Sequence, residues 1–492
     1  MQVVSFRARL GSLLSAVLLC AASAPLTVAA AAPRLLPAVS DYQLVKAGAT
    51  PPTLSDCIAA GRRCFTPAGF HAAYDLGPLY DSGLDGSGIT VAIVDSYGSD
   101  TMANDLHVFD QAFGLPAMCG EVDVTCTSGM PTFTTLSVQG SPATVAQPGK
   151  GTHQEDKSAW SIEVALDVES VHTFAPGANI LLVTVPTAET LGVQGFPLMM
   201  AAEQYVVDHH LADVISQSFG ASELTFGSTA SLLNLRHAYQ SAAANGVTVL
   251  ASTGDFGSTN AIKQPVGQGG GVFATQNVAW PASDPLVTAV GGTYLCTDPL
   301  ASTRVVDSSS PPARCAANPG QAEVGWIDTG GGFSSVFSKP AYQDTLPAGS
   351  TAIGSMRGIP DIASEASSLS GPLIYDSNAG LDTGSNVAGG NGGWYVIGGT
   401  SVSCPEWAGM VAIADQINGG GLGLINPGLY ALASNTSQYA ADFFDVTTGD
   451  NGAFAPDVPG YPATTGWDPV TGLGTPDAAA LLPDLVTAVN SQ

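Results

Sequence analysis

The sequence predicts an α/β fold, a single large domain with a mostly parallel central sheet flanked by helices. Short apolar runs recur along it: "GITVAIVDSYG", "ANILLVTVP", "ADVISQSFG", "GVTVLASTGDFGS" and "PLVTAVGGTYL". Each ends in glycine or polar turn residues, as a buried parallel strand does. Helical stretches such as "SAWSIEVALDVESVHTF" and "TASLLNLRHAYQSAAANG" alternate with them, and that alternation is the mark of a parallel sheet. Hydrophobic residues make up 45% of the 492 and charged residues only 11%, a composition for a large ordered core. In such sheets the active site gathers at the carboxyl ends of the strands. Asp95, Ser218, Asp255 and Ser401 all fall there.

Forty-one acidic residues against 14 basic ones give a net charge of −27 and a pI near 4.2. Such a surface repels nucleic acid and anionic membranes, and it suits acidic surroundings, where protonation relieves the self-repulsion. Residues 1–32 read as a secretory signal peptide. Arg7 and Arg9 precede the apolar run "LGSLLSAVLLCAASAPL", and small residues near Ala30 to Ala32 supply a cleavage site. Bulky Leu18 and Leu19 stand before Cys20 where a lipid anchor wants small residues. No later apolar run is long enough to span a bilayer. The expectation is a secreted, extracellular protein with no membrane anchor, monomeric and with no nucleic-acid partner. Residues 33–64 form a short N-terminal segment with few strand or helix signals, and residues 65–492 form the main domain. About thirty residues separate the signal from Phe65, so no long autoprocessed prosegment is expected, and a mature start well inside 65–90 would contradict this.

Of eight cysteines, seven lie beyond the signal. Their spacing suggests local bridges, Cys57 with Cys64, Cys119 with Cys126 and Cys296 with Cys315, which export would allow to oxidise. The absence of C-x-x-C or paired Cys/His spacing argues against zinc. Cys404 is left over as a small buried residue.

The stretch "WYVIGGTSVSCPEWAGM" runs from an apolar strand, Trp394 to Ile397, through two glycines to Thr400 and Ser401, with a helix possible from Glu406 on. A serine at such a turn is placed as a nucleophile, but its hydroxyl needs a base. The histidines are 71, 107, 153, 172, 209, 210 and 237, and none is followed by glycine. His153 is the best of them and gives one reading, Asp95, His153 and Ser401. The helix around 158–172 gives another. Trp160, Val164, Val168 and Val171 share an apolar face, and Glu163 and Asp167 stand beside it one turn apart, roughly 5–6 Å at Cβ. Such pairs are common on solvated helices, but no lysine or arginine occurs from Ser158 to Ile180 to neutralise this one. Asp255, with glycines on both sides in "ASTGDFGS", either caps a turn or, protonated, donates a hydrogen bond to an oxyanion. A donor of that kind contributes about 10²–10³ in rate.

These residues resemble the sedolisins, serine-carboxyl peptidases on a subtilisin-like fold. The resemblance runs from Phe65 to the C-terminus through "TPAGFHAAYDL", "WSIEVALDVESVHTFAPGA", "ISQSFG", "STGDFGS", "WPASDPLVTAVGGTYL", "GGGFSSVFSKPAYQ", "RGIPDIAS", "GGTSVSCP" and "GWDPVTGLGTPD", in the family's order. It implies Ser401 as nucleophile, Glu163 as its general base, Asp167 as the acid that orients Glu163, and Asp255 as the oxyanion-hole carboxyl. It implies hydrolysis of protein or peptide substrates at acidic pH. An ordinary histidine of pKa ~6.5 would be protonated there, whereas a carboxylate still works as a base. Two charges ~4 Å apart at an effective dielectric of ~20 repel by about 4 kcal/mol, so Glu163 and Asp167 should share one proton.

The resemblance further implies one structural Ca²⁺ held by the carboxylates of Asp445 and Asp468 and the carbonyls of Val446, Thr464 and Gly466, an oxygen-rich set suited to that ion. Position 464 is threonine where the family often has glycine, and Gly398 stands where serine is commoner. Substrate contacts are expected at Ser218, Phe219 and Gly220, whose strand edge can pair with an extended peptide, and at Gly330, Gly331 and Gly332. The alternatives are the histidine-based protease and a catalytically inactive, calcium-stabilised secreted binding protein.

Overall fold

The computed structural model describes residues 36–37, 41–139, 144–145, 154–186, 195–262, 271–309, 311–378, 392–452 and 455–492. In chain order the strands are β1 (Leu36–Pro37), β2 (Asp41–Ala47), β3 (Thr90–Ser96), β4 (Phe133–Gln139), β5 (Thr144–Val145) and β6 (Asn179–Val185). Next come β7 (Val214–Gln217), β8 (Phe219–Ser222), β9 (Thr248–Ser252), β10 (Ala279–Trp280), β11 (Thr288–Leu295) and β12 (Glu323–Gly325). The last used here are β13 (Gly332–Ser338), β14 (Met356–Ile359), β15 (Ile362–Glu365), β16 (Leu373–Asp376) and β17 (Gly393–Gly398).

The main sheet has the order β12-β11-β9-β7-β3-β6-β4-β5, with β15 added to β11. Its central pairs, β4 with β6, β6 with β3, β3 with β7, β7 with β9, β9 with β11 and β11 with β15, are all parallel. Only the flanking β5 and β12 run antiparallel. The expected α/β architecture with a largely parallel sheet is therefore the observed one.

Alternation along these strands decides which residues meet. In β3, Val91 and Ile93 enter one hydrophobic core while Ala92 and Val94 enter the other. The first core also holds Ile162, Val164, Val168 and Val171 from the helix Gln154–Phe174, and Val402, Trp407 and Val411 from the helix Thr400–Asn418. The first helix is called the base helix below and the second the nucleophile helix. By the two-residue period of a strand, Asp95 follows Val91 and Ile93 toward this side, and Ser216 and Ser218 follow Val214.

The base helix departs from the amphipathic reading. From Trp160 to Phe174 every residue is buried, so Glu163 and Asp167 stand on no solvated face. The nucleophile helix also starts earlier than Glu406. It begins at Thr400 and carries Pro405 inside. Pro405 is the sixth residue, beyond the first turn, so it removes the N–H that would bond the Ser401 carbonyl and leaves that carbonyl without its helical partner.

Residues 41–64 are more ordered than their composition suggests. β2 pairs antiparallel with β17 from Ala47↔Gly393 to Asp41↔Gly398. A short helix, Leu54–Ala59, is closed by a capping box in which Thr53 accepts from Asp56 N–H and Asp56 from Thr53 N–H. All three bridges suggested by the spacing are present, Cys57–Cys64, Cys119–Cys126 and Cys296–Cys315. Cys404 is free and buried. Ala32–Gln492 form one compact unit. The signal region 1–32 and part of the Gly-rich run 379–424, residues 379–391, lie outside the described residues.

β17 delivers Ser401 through a turn in which Gly399 has φ 147° and donates to Ala366 O at 2.7 Å. A Cβ on Gly398 would run into the backbone nitrogen of Ser368. Serine, commoner here among sedolisins, therefore cannot be accommodated without moving backbone. Gly398→Ser is expected to destabilise the fold by about 1–3 kcal/mol, read as a lowered Tm in thermal denaturation.

Candidate active site

The carboxyl ends of β3, β7 and β9 bring three polar groups to one place, and the base helix adds two more. Ser401, the second residue of its helix, is fully buried, as are Asp95, Glu163 and Asp167, and Asp255 is 3% exposed. Ser218, just past β7, donates to Asp167 Oδ1 at 2.8 Å. Asp255, just past β9, accepts at Oδ1 from Thr400 N–H at 2.8 Å and from the Thr400 hydroxyl at 2.9 Å. That hydroxyl in turn accepts from Gly254 N–H at 2.9 Å. The turn after β9 is thus bolted to the residue immediately before Ser401.

The Glu163 carboxyl is held well above the ordinary range. Burial is the main cause, followed by the charge of Asp95; Asp255 adds to it, while hydrogen bonding from Ser401 opposes it. The Ser401 hydroxyl is therefore near enough to favour an ionised Glu163. The contact is loose, however, because neither Glu163 oxygen nor Ser401 Oγ makes a well-formed hydrogen bond among the described residues. Contacts of this kind tighten when substrate fills a site. Asp167 is also raised well above its ordinary value, by burial first, then by Asp95 and Glu163, with Ser218 pulling it down. Asp95 is pushed up to about 8 by burial.

No lysine, arginine or histidine among the described residues lowers these three carboxyls. Among the described residues, Arg357 pairs with Asp361 at 2.7 Å, Arg304 with Glu323 at 2.8 Å and Arg236 with Asp284 at 2.5 Å, all away from this cluster. With burial disfavouring charge and no counter-ion among the described residues, the cluster retains protons to unusually high pH.

The histidine-based reading is not assembled among the described residues. His71 contacts Thr173 O, His107 contacts Glu121, and His172 lies between Pro116 O and Asp110. His209 and His237 contact backbone carbonyls in or beside their own helices. His153 lies outside the described residues. Asp95, which the sequence reading used only in that alternative, instead faces the two base-helix acids. The strand alternation Val91, Ile93, Asp95 was the signal that could have found it. Cys404 is no second nucleophile, since burial pushes its thiol up to about 12.

Phe219 and Gly220 form the start of β8, one residue beyond Ser218. Gly330 and Gly331 are glycines for close approach, since a Cβ on either would strike a backbone oxygen, of Thr253 and Pro469 respectively. Gly330 N–H donates to Gly254 O at 2.6 Å, which braces the Asp255 turn, and Gly332 opens β13.

Of the residues expected to hold calcium, Asp445 meets Gly466 and Asp468 meets Thr464. Asp445 accepts from Gly466 N–H at 3.0 Å, and Asp468 accepts from Thr464 N–H at 2.8 Å and from Val470 and Thr471 N–H at 2.8 and 2.9 Å. The Asp445 charge raises Asp468, so the two carboxyls lie near one another. Among the described residues no donor is bonded to the carbonyls of Val446, Thr464 or Gly466. Two adjoining carboxylates with three uncommitted carbonyls fit a hard divalent cation. No group of three or more His, Cys, Asp or Glu side chains there or elsewhere among the described residues forms a metal cluster.

The subtilase family pattern matches residues 144–443 of the chain. Kumamolisin of Bacillus sp. (strain MN-32) is 31% identical over 443 residues, covering 88% of this chain and 65% of that protein. Sedolisin of Pseudomonas sp. (strain 101) is 29% identical over 428 residues, covering 86% and 62%. Human tripeptidyl-peptidase 1 is 28% identical over 359 residues, covering 68% and 53%. The chain thus spans less than two thirds of the length of each of these relatives. The solved Pseudomonas sedolisin, a serine-carboxyl proteinase complexed with two molecules of pseudo-iodotyrostatin, superposes with a TM-score of 0.62 at 27% identity, covering 85% of this chain and 97% of that one. The chain belongs to the subtilase family, on its sedolisin branch.

The raised carboxyls set the pH dependence of stability. Asp95 and Asp415 are pushed to about 8 and Asp376 to about 7, each by burial, from an ordinary 3.8. A pKa raised on folding gives stability that is complete below the unfolded value and is lost as pH rises through the folded one. The fold is therefore expected to be most stable near pH 4 or below and to weaken progressively up to about pH 8. Thermal denaturation at pH 4 and pH 8 should show Tm lower by about 10 °C or more at the higher pH.

Proposed function

We propose that this chain is an exported serine-carboxyl peptidase that hydrolyses peptide bonds of proteins or peptides in acid. The observation that carries the reading is the burial of Glu163 and Asp167 beside Ser401 with no imidazole among the described residues to serve instead. The Ser401 hydroxyl attacks the substrate carbonyl and passes its proton to Glu163. Asp167, held by Ser218, shares one proton with Glu163 and sets which carboxyl is the base. Asp255 uses Oδ1 to accept from Thr400, so its proton sits on Oδ2 and is donated to the oxyanion. The proton on Glu163 then goes to the leaving amine, and water repeats the sequence in reverse to release the acyl group. Asp95, itself pushed up to about 8, is neutral in acid, so it is burial, with the mutual repulsion of the two acids, that disfavours full ionisation of the pair.

Export is supported by the signal-like N-terminus and by the three disulfides. No helix among the described residues is long and apolar enough to cross a membrane. A monomer is proposed. Calcium bound by Asp445, Asp468 and the carbonyls of Val446, Thr464 and Gly466 would neutralise that carboxyl pair and brace the C-terminal loops. Chelation at pH 5 is then expected to lower Tm, and Asp468→Asn should abolish the difference between chelated and calcium-loaded protein.

Degradation of a denatured protein at pH 3–5 tests the assignment. Ser401→Ala should lose about 10⁴-fold or more, and Glu163→Gln should be comparably impaired. Asp255→Ala should lose about 10²–10³-fold, whereas Asp255→Asn, which keeps an N–H donor, should lose less. Equal activity in wild type, Ser401→Ala and Glu163→Gln would defeat the reading. Activity confined to pH 7 and above would favour an imidazole base.

A further inference from the structure

The nucleophile helix carries a second buried acid that the proposed reaction does not use. Glu406 is 1% exposed, and neither of its carboxyl oxygens makes a well-formed hydrogen bond among the described residues. It follows directly on Pro405, which has already taken one N–H from the helix. Side chains tie this stretch to β15. Trp407 Nε1–H donates to Ala363 O at 2.9 Å, and the Ser364 hydroxyl donates to Ser403 O at 3.4 Å.

The ionisable groups that face Glu406 are mostly acids. Glu365 of β15 and Glu323 of β12 both act on it, and both are fully buried. Arg304 pairs with Glu323 at 2.8 Å. The Tyr74 hydroxyl, next after the helix Pro67–Ala73, donates to Glu323 at 2.8 Å and accepts from Glu365 N–H at 2.8 Å. Glu365 accepts at one oxygen from Ser367 N–H and the Ser370 hydroxyl, and its other oxygen makes no hydrogen bond among the described residues. The neighbouring ionisable groups of the base helix are occupied, Glu169 with Tyr375 N–H and His172 with Pro116 O, and His71 contacts Thr173 O. Burial first, and then Glu365, holds the Glu406 carboxyl well above its ordinary 4.5, with the Ser364 hydroxyl opposing. Burial likewise raises Glu365 well above 4.5, against its hydrogen bonds from Ser370 and Ser367.

Glu406 also borders a small cavity between the nucleophile and base helices, with room for about one water molecule. Phe65, Phe70 and Phe174 supply apolar wall. Ser170 and Thr173 of the base helix are the other polar residues that line it. A cavity of this size that offers two or more polar partners holds water, whereas one lined by apolar groups alone stays dry.

We infer that this cavity holds one internal water, through which the protonated carboxyl of Glu406 is bonded to the base helix at Ser170 and Thr173, and that ionisation of Glu406 drives the nucleophile helix from this seat in neutral solution. One proton leaves for the solvent and no covalent bond changes. A single water and the adjoining Glu365 are too little to solvate a carboxylate there, so the charge is accommodated by opening. A carboxyl whose pKa is raised on folding gives stability that is complete below its unfolded value and is lost as pH climbs through its folded one. From pH 4.5 upward Glu406 alone should therefore raise the unfolding constant by about tenfold per pH unit. The inference goes beyond the peptidase reading and requires no turnover.

The test uses the full chain with Ser401→Ala, which prevents self-digestion, alone and combined with Glu406→Gln, which keeps the shape and polarity of the side chain but cannot ionise. Urea unfolding between pH 4 and pH 7 should give a plot of log K against pH whose slope is smaller by about one in the Glu406→Gln form. At pH 7 the unfolding constant of that form should be lower by about tenfold or more. Infrared spectra at pH 7 should show a protonated-carboxyl C=O band in the parent that is diminished by the substitution. A high-resolution crystal structure of the parent at pH 4 should show a water within hydrogen-bond distance of the Glu406 carboxyl. Equal slopes, equal carboxyl bands or a dry cavity would each overturn the inference without touching the peptidase reading. Should Glu406→Gln not fold, the crystal structure of the parent decides. Failure of the Ser401 form to hydrolyse peptides would defeat the peptidase reading, and the unfolding slopes would still decide the role of Glu406.

Discussion

Carboxyl groups buried around one hydroxyl, with no counter-cation among the described residues, are the constraint on which the rest of this structure depends. Asp95, Glu163, Asp167 and Asp255 all lie within the packed interior beside Ser401. Transferring ionised carboxylates out of water costs far more than a hydrogen bond returns, and unlike a buried ion pair this cluster has no opposite charge among the described residues to offset that cost. Protonation is the remaining way to settle it. One physical fact thus links a very acidic, cation-poor composition, the low-pH stability expected of the fold, and the proposed service of Ser401 by carboxyl groups.

The scaffold achieves this by alternation. Residues at every second position of β3 and β7 point to the core containing the base helix, and the first polar residues past those apolar runs, Asp95 and Ser218, meet the helix acids there. The turn after β9 is tied to the nucleophile's turn through Asp255, Thr400 and Gly254. Gly330 lies against the same turn from the other side. Asp255 and Ser401 are therefore held in fixed relation, the pre-organisation the proposed oxyanion site requires.

Much of this was legible in the sequence because its signals are local. Parallel strands announced themselves as apolar runs, the Cys57–Cys64 and Cys119–Cys126 bridges as short spacings, and Glu163 with Asp167 as one helical turn. What escaped was set by distant partners. Complete burial of the base helix depends on the nucleophile helix, some 240 positions further along the chain, and on β3; a stripe of valines cannot reveal it. Pro405 suggested a helix beginning later than Thr400, since proline is most at home at a helix start, but here it lies inside the helix. β2 carried little strand signal of its own and is ordered by β17, about 350 residues away. Asp95 looked like the partner of a histidine until the sheet showed which face it shares.

The account's central claim is that the base-helix acids together hold a proton beside Ser401 in the acid range. Neutron crystallography of the deuterium-exchanged protein at pH 4 locates that proton directly. One deuteron between Glu163 and Asp167, with another on Asp255 Oδ2, is the predicted result. Full ionisation of Glu163, Asp167 and Asp255 at that pH, or an imidazole bonded to Ser401 Oγ, would contradict it.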